Sequence, residues 1–145
     1  MMGLFPAGLR VEDMKDRDLP QLEQRLGVKF TEVGERHLAI ECTVTDFFLQ
    51  PHGIMHGGVS CVIGESLGSI AGNLTLVGTG KHAVGQNLNA LHLRPALPGT
   101  RLRAVTEPLH IGSKTQIWEI NITDADKLKA IAKVTLTLAI IDAKR

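Results

Sequence analysis

Hydrophobic and polar residues alternate along several stretches of the chain, which is the pattern of half-buried β-strands. The alternation is clearest over residues 37–45 and 128–141. The same reasoning predicts further strands over residues 28–33, 83–93, 101–110 and 114–123. Because only short turns separate the last four strands, we expect these strands to pair in antiparallel fashion.

Two stretches have helical patterns instead. Residues 19–26 predict a short helix, with Asp18 as its N-cap, Pro20 at its first helical position and Gly27 at its end. Residues 50–77 predict a loop that runs into one long helix, with an apolar stripe to bury on the sheet. That stripe consists of Val59, Ile63, Leu67, Ile70 and Leu74. Residues 1–15 have no clear period and are expected to form a mobile arm.

One carboxylate, Glu65, lies in an otherwise uncharged run over residues 57–77. A charge there is costly unless it is used, either in a buried ion pair at a subunit contact or in catalysis, and the spacing alone does not decide between them. Glycine inside a helix costs roughly 1 kcal/mol relative to alanine. Gly64, Gly68 and Gly72 therefore suggest that a second backbone or a ligand approaches closely, so that Glu65 points into a groove lined by small residues.

The start of the long helix is the second candidate for chemistry. Gly57 and Gly58 leave the first amide groups bare, and these amides could bind negative charge or polarise a carbonyl. The alternative is that the glycines only permit a tight turn. His52 and His56 lie in a loop without a third ligand at fixed spacing, so no metal site is expected. A serine-hydrolase elbow is also not expected, because the GESLG sequence lies in mid-helix.

Composition excludes several functions. The chain has 145 residues, enough for one domain, with 21% charged residues, a net charge of +1 and 3% aromatic residues. A nucleic-acid binder usually has a basic face or stacking aromatics, so no nucleic acid partner is expected. Cys42 and Cys61 each fall inside a regular element, which favours a reducing cytoplasm over a disulfide framework. No signal peptide or membrane span is expected.

Three blocks of sequence carry a resemblance to a known family. They are HGGVSCVIGESLGSIAG with Gln50 upstream, NLNALHLRPALPG and PLHIGSKTQIWEI. In this order they resemble the hotdog-fold acyl-CoA thioesterases, in particular the 4-hydroxybenzoyl-CoA, phenylacetate-pathway and dihydroxynaphthoyl-CoA group. The resemblance implies one α+β domain over residues 1–145, in which a curved antiparallel sheet of five to six strands wraps a long central helix.

The resemblance also implies roles for individual residues. Glu65 matches the catalytic carboxylate, acting as general base or nucleophile, and Gly57 matches the backbone donor that polarises the thioester carbonyl. His56 and Gln50 match residues that orient the carbonyl, the water or the leaving sulfur, and Ser69 matches a residue that helps to position the water. Such sites are assembled across a dimer interface, and pairs of dimers commonly form homotetramers.

The substrate is then expected to be an acyl-CoA, so that no cofactor is needed beyond the CoA of the substrate itself. Candidates for contacts with the CoA phosphates are Arg94, His110, Ser113 and Lys114, each of which could equally be a solvated surface residue. His92 could be only a packed histidine. An acyl-thioester hydratase or dehydratase and a non-catalytic acyl-CoA-binding protein are the alternatives. The acyl group, aromatic or short to medium chain, and the choice of CoA or acyl carrier protein stay open.

Overall fold

Six strands form one antiparallel sheet in a computed structural model of the chain, which describes residues 3–15 and 19–144. The strands are β1 (Lys29–Val33), β2 (Leu38–Thr43), β3 (Lys81–His92), β4 (Arg101–Ile111), β5 (Thr115–Asp124) and β6 (Lys129–Asp142). The helices are α1 (Val11–Lys15), α2 (Gln21–Arg25) and α3 (Gly57–Leu74), with a short 3-10 helix at Asp46–Phe48. The strand order is β1-β2-β4-β5-β6-β3, so β3 lies at an edge of the sheet.

The predicted strands and helices are confirmed, with ends that shift by a few residues. The details at α2 differ from the prediction. Pro20 is the N-cap residue, with φ −55° and ψ 155°, and the helix begins one residue later. Gly27 follows the helix with φ 66°, a left-handed conformation that favours glycine and explains why the helix ends there. Asp18, the expected N-cap, lies outside the described residues.

Helix α3 lies very close to β5 and β6 because three of its contact positions are glycines. A Cβ atom at Gly64 would be 2.6 Å from Val134, and one at Gly72 would be 2.3 Å from Leu138. At Gly68 the nearest atom to such a Cβ would be Cδ2 of Leu136, at 2.6 Å. The glycine side of the helix is therefore filled by side chains of the same chain.

This packing corrects the expectation that Glu65 points into a groove lined by small residues. The helical glycines face the sheet, and the expected apolar stripe shares the same buried side, with Ile63 and Leu67 each 2% exposed. Glu65 lies at the margin of this buried side, beside the edge strand β3, and is exposed in the single chain. Helical periodicity sorts residues into faces, but it does not say which face meets the sheet.

The C-terminal end of α3 is tied to the sheet by a chain of hydrogen bonds. The indole Nε1–H of Trp118 donates to Oε1 of Gln116 at 3.0 Å, and Nε2 of Gln116 donates to the hydroxyl of Thr75 at 2.7 Å. Thr75 in turn donates to the carbonyl of Gly72 at 2.7 Å. The helix is thus held in position along the strands as well as in height above them.

The N-terminal segment differs from the mobile arm that was expected. Met14 is fully buried, and the amide of Leu4 donates to the carbonyl of Glu35 at 2.7 Å. The ring of Phe5 stacks on Trp118, with centroids 6.4 Å apart and planes 11° apart. Residues 3–15 therefore pack on the domain, because α3 alone does not cover the helix-facing side of the sheet. Met1 and Met2 lie outside the described residues.

The close helix–sheet contact predicts a difference between two glycine-to-alanine variants. We expect Gly64→Ala to lower the free energy of unfolding by about 1–2 kcal/mol, because the overpacking against the stiff Val134 exceeds the gain in helix propensity. Gly68→Ala should cost less, since its nearest neighbour is the end of a flexible leucine side chain. Urea denaturation measures both values. A Gly64→Ala variant as stable as the original protein would contradict the packing.

The docked N-terminal segment predicts a spectroscopic change. Trp118 is the one tryptophan of the chain and is fully buried. Phe5→Ala should shift its fluorescence to longer wavelength and increase quenching by acrylamide, because the stacked ring is removed. Phe47→Ala, at a side chain that is 63% exposed, is the matched control and should change neither property. Equal spectra for the two variants would show that the segment is not docked in solution.

Candidate active site

The first turn of α3 presents one free amide. His56 is the N-cap residue, and its Nδ1 accepts a hydrogen bond from the amide of Gly58 at 2.8 Å. The amide of Val59 donates to the carbonyl of His56 at 2.9 Å. The first helical residue, Gly57, has no acceptor within the helix for its N–H. Of the two glycines expected to offer bare amides, only Gly57 does so.

The cap also determines the tautomer of His56. An Nδ1 atom that accepts a hydrogen bond carries no proton, so the neutral ring carries its proton on Nε2. The side chain is exposed, which leaves Nε2–H available as a donor. His56 and Gly57 together can offer two hydrogen-bond donors to one oxygen atom.

A cavity of about 430 Å³ adjoins this helix start. Gln50 lines it and belongs to a tight loop, in which its Oε1 accepts from the amide of His52 at 2.5 Å and its own amide donates to the carbonyl of Ile54 at 2.9 Å. Because the oxygen of the Gln50 side chain is engaged, its Nε2 remains as a donor. Arg94 lines the same cavity, so Gln50, Gly57 and Arg94 lie around one space.

Two further residues in this cavity were not assigned a role from the sequence. The ring of His92 lies so close to Gly57 that a Cβ there would be 2.9 Å from it, and the side chain is exposed rather than packed in the core. Ser60 is fully buried, and its hydroxyl has no hydrogen-bond partner among the described residues. Ser60 lies three residues after Gly57 and therefore on the same helix face. This spacing is the feature of the sequence from which its place beside Gly57 could have been predicted.

Glu65 lies on the open side of α3, at a second cavity of about 280 Å³ that Cys61 and Leu88 also line. Its carboxylate rests on the backbone of Gly85 in the edge strand, where a Cβ would be 2.0 Å from Oε1. No hydrogen bond or ion pair of its side chain occurs within residues 3–15 and 19–144. Ser69 lies one turn further along the helix and is half-buried.

Asn73 fixes this edge to the helix. Its Nδ2 donates to the carbonyls of Ser69 and Ala83 at 2.8 and 3.0 Å, and its Oδ1 accepts from the amide of Ala83 at 2.9 Å. The start of β3 is thus held at a fixed height beside α3, two residues before Gly85. The carboxylate of Glu65 is positioned by backbone geometry rather than by an ion pair.

The two sets of residues are distant within one chain. Gly57 and Glu65 are eight residues apart on a continuous helix, so they lie roughly 12 Å apart along its axis. A single substrate carbonyl bound at Gly57 is out of reach of Glu65 of the same chain. We call Gln50, His56 and Gly57 the amide half-site, and Glu65 and Ser69 the carboxylate half-site.

Comparison with known proteins decides the family. The model of the thioesterase superfamily matches residues 52–131. The chain belongs to the thioesterase superfamily. It is 41% identical over 116 residues to a 1,4-dihydroxy-2-naphthoyl-CoA hydrolase of Escherichia coli, covering 80% of this chain and 83% of that protein.

Solved structures extend the comparison to the whole fold. A thioesterase of Haemophilus influenzae superposes with a TM-score of 0.84 at 32% identity, covering 98% of this chain and 97% of that one. A thioesterase of Staphylococcus aureus, solved as a glutamate-to-alanine and as a glutamine-to-alanine variant, superposes with a TM-score of 0.78 at 30% identity, covering 83% of this chain and 98% of that one. This thioesterase therefore has the hotdog fold that the sequence predicts, and its class of reaction is thioester hydrolysis.

The four candidate CoA contacts do not gather in one chain of this thioesterase. Arg94 follows β3, and its amide donates to the carbonyl of Ile131 in β6 at 3.2 Å. His110, Ser113 and Lys114 lie at the hairpin between β4 and β5, where the carbonyl of Lys114 accepts from the amide of Ile140 at 2.9 Å. Ile131 and Ile140 are nine positions apart along β6, a span of roughly 30 Å. All four side chains are exposed.

The described residues offer neither a metal-binding cluster nor a membrane-spanning helix. Within residues 3–15 and 19–144, no group of three or more histidine, cysteine, aspartate or glutamate residues is arranged to hold a metal ion. In the same part of the chain, no helix has both the length and the apolar character needed to cross a bilayer. Cys42 and Cys61 are free thiols, and burial raises the pKa of Cys42 to about 11.

Proposed function

We propose that this thioesterase hydrolyses acyl-CoA thioesters at sites shared between two copies of the chain. The observation that carries the proposal is the separation of the free amide of Gly57 from the unpaired carboxylate of Glu65, roughly 12 Å along one rigid helix. The amide can stabilise negative charge on the carbonyl oxygen, and the carboxylate can drive the attack on the carbonyl carbon. Within one chain the two groups are too far apart to act on the same thioester. Two copies arranged about a two-fold axis would complete two identical sites.

The amide half-site would bind the carbonyl oxygen of the thioester. The N–H of Gly57 and the Nε2–H of His56 would donate to this oxygen, and the positive end of the α3 dipole adds to their effect. Negative charge grows on the oxygen as the carbonyl carbon becomes tetrahedral, so these donors stabilise the transition state more than the ground state. Gln50 would donate its Nε2 to the attacking water or to the leaving sulfur.

Glu65 of the second copy would drive the attack. As a general base it would take a proton from a water that Ser69 helps to position, while the water oxygen bonds to the carbonyl carbon. As a nucleophile it would bond to that carbon itself, and water would then hydrolyse the resulting anhydride. In both routes the carbon–sulfur bond breaks, CoA leaves as the thiol and the acyl group leaves as the acid. No cofactor or metal takes part in the proposed reaction.

The free edge of β3 is the surface that would join the two copies. Its backbone groups have no partner strand on one side, and Val84 and Leu91 are 39% and 54% exposed. Antiparallel pairing with a two-fold axis close to Asn89 would set Leu88 opposite Ala90 of the second copy. The bulge between Gly85 and Asn87 would then bring Gly85 near the second copy's His92. Since Glu65 rests on Gly85 and His92 touches Gly57, this register would unite the two half-sites.

Relatives support both the residues and the substrate class. The glutamine and glutamate replaced in the Staphylococcus aureus thioesterase lie 15 residues apart in that chain, the same separation as Gln50 and Glu65. The Escherichia coli relative is named as a hydrolase of an aromatic acyl-CoA. We therefore propose an aromatic or a short- to medium-chain acyl-CoA as the substrate. The homotetramer and the cytoplasmic location expected from the sequence stay predictions.

A matched pair of variants tests the amide of Gly57. Gly57→Pro removes the N–H at the first helical position, where proline is tolerated, and the extended backbone of His56, with φ −63° and ψ 129°, is compatible with a following proline. Gly57→Ala adds the same Cβ beside His92 but keeps the N–H. We expect kcat of Gly57→Pro to be lower than that of Gly57→Ala by about 100- to 1000-fold. Equal kcat values, with both proteins folded by circular dichroism, would exclude the amide from catalysis.

Mixing two inactive variants tests the shared site. Glu65→Ala and Gln50→Ala should each lower kcat by about 100-fold or more in the pure protein. After the two are unfolded and refolded together, half of the dimers carry one copy of each variant, and one of the two sites in such a dimer is intact. The mixture should regain about one quarter of the original activity.

A site contained in one chain gives the opposite result, because every site in the mixed dimer would then carry one defect and the mixture would stay inactive. Refolding each variant alone is the control for recovery. Size-exclusion chromatography of the mixture checks that the copies associate.

A further inference from the structure

We propose that His92 is the general acid that protonates the sulfur of CoA as it leaves. This inference rests on the proposed function and adds a catalytic residue beside the amide half-site. Neither Gln50 nor His56 can supply that proton. The side-chain amide of Gln50 donates hydrogen bonds but does not ionise. Nδ1 of His56 accepts from the amide of Gly58 and carries no proton, so loss of its Nε2 proton would leave an anionic ring.

The backbone around His92 is fixed by hydrogen bonds to β6. His92 is the last residue of β3 and pairs with Ala132, which is buried on the helix-facing side of the sheet. Residues that are opposite each other in an antiparallel pair point to the same face, so His92 also points towards α3. The amides of Leu93 and Arg94 both donate to the carbonyl of Ile131, at 2.8 and 3.2 Å. The strand therefore places the imidazole at the start of α3.

The edge of the ring that carries the nitrogens faces the free amide of Gly57. A Cβ atom on Gly57 would be 2.9 Å from Nε2 and Cε1 of His92 and 3.4 Å from Nδ1. From the backbone bond lengths, Nε2 is then within roughly 5.5 Å of the amide nitrogen of Gly57. A carbonyl oxygen bound to this amide would lie about 3 Å from the nitrogen. The sulfur attached to the same carbonyl carbon would be within reach of the imidazole.

Both ring nitrogens of His92 are available for proton transfer. The side chain is exposed and has no hydrogen bond or ion pair within residues 3–15 and 19–144. Other histidines of the chain use a ring nitrogen to hold the fold, since His37 binds Glu32 at 2.8 Å and His56 caps α3. Histidine is the side chain whose charge ordinarily changes near neutral pH, which suits it to give and regain a proton.

The cavity at the start of α3 puts His92 on the side of the carbonyl from which CoA would leave. His92, Gln50, Gly57 and Arg94 line this space of about 430 Å³, and Arg94 is the one charged side chain among its described lining residues. A guanidinium suits the phosphates of CoA. The pantetheine arm would then run from Gly57 past His92 towards Arg94, while the acyl group lies towards Glu65 of the second copy.

Proton transfer from His92 balances the reaction without a further reactant. Oxygen of water, or of Glu65, forms the new bond to the carbonyl carbon, and the electrons of the carbon–sulfur bond move to the sulfur. The imidazolium gives its proton to the sulfur, so CoA leaves as the thiol. A thiol has a pKa of about 8.5, so near neutral pH the protonated product is the stable form. A proton that Glu65 has taken from water then returns to His92 through solvent.

Few other groups around the ring titrate. The charged and titratable ones are Arg94, which follows in the chain, His56 at the start of α3 and, in the proposed register, Glu65 of the second copy. The remaining described neighbours in the loop before α3 and in β6 do not titrate; they are Gln50, Ile54, Met55, Ile131 and Ala132. An alkaline decline in activity that depends on position 92 therefore reports the proton of His92.

Two substrates with the same acyl group and different leaving thiols test the proposal. Benzoyl-CoA releases an alkyl thiol, and S-phenyl thiobenzoate releases the more acidic thiophenol, which departs readily without a proton. The proteins are the original chain, His92→Gln and the control His82→Gln, which makes the same change at the other end of β3. Thiol release is measured across pH 5 to 10 as a ratio of variant to original chain, and thermal unfolding is recorded for each protein.

We expect His92→Gln to lower kcat/KM for benzoyl-CoA by about 10- to 100-fold and for S-phenyl thiobenzoate by less than about threefold. The original chain should lose activity on benzoyl-CoA at acid pH, as Glu65 gains a proton, and at alkaline pH, as His92 loses one. His92→Gln should keep the acid decline and lose the alkaline one. His82→Gln should behave like the original chain, and all three proteins should melt at similar temperatures.

Two outcomes overturn the assignment. The first is a His92→Gln variant that hydrolyses benzoyl-CoA as fast as the original chain. The second is a variant that is slowed equally on both substrates and keeps the alkaline decline, which would make His92 a wall of the cavity and not an acid. If the original chain hydrolyses neither benzoyl-CoA nor hexanoyl-CoA, the proposed function itself has failed, so the two failures are distinguishable.

Discussion

The close contact of α3 with β5 and β6 is the constraint on which the rest of the structure depends. Gly64, Gly68 and Gly72 let the helix approach until valine and leucine side chains of the sheet fill the space that Cβ atoms would occupy. The hydrogen bonds of Gln116 and Thr75 then hold its far end. A helix held in height and along its length presents its other faces at defined positions, which is what a catalytic group requires.

The same rigid helix explains why the proposed site needs two copies. Gly57 at its start and Glu65 two turns later cannot approach each other without unwinding the helix. Glu65 instead leans over the edge strand, where Gly85 leaves room for it, and His92 at the other end of that strand lies against Gly57. The edge strand thus connects both half-sites, and an antiparallel partner along it would bring together what one chain keeps apart.

A buried polar group without a hydrogen-bond partner lowers the stability of the folded chain. Among the described residues, the hydroxyl of Ser60 and Oε2 of Glu23 are buried without a hydrogen-bond partner, and the exposed carboxylate of Glu65 lies at the open edge beside Gly85. Each borders a cavity beside α3. Local disagreement with the rules for a stable core is expected at functional sites.

The local pattern of the sequence was enough to predict the strands and the long helix, and it singled out Glu65 and Gly57 as candidates for chemistry. Alternating burial gives a strand a sequence period of two, and turn residues mark its ends. Strands and their ends can therefore be predicted without knowledge of tertiary contacts. The end of the short helix at Gly27 could also be predicted from the sequence, because the left-handed conformation of this glycine is a local property.

Tertiary structure alone decided what lies across each face. It put β3 at the edge, set the helical glycines against the sheet with Glu65 at the margin of that face, docked Phe5 on Trp118, buried Glu23 beside Ser66 and separated Arg94 from Lys114 by the length of a strand. Periodicity in a sequence says that a face is covered but carries no information about which distant residues cover it. That choice depends on strand order and on contacts between residues far apart in the chain.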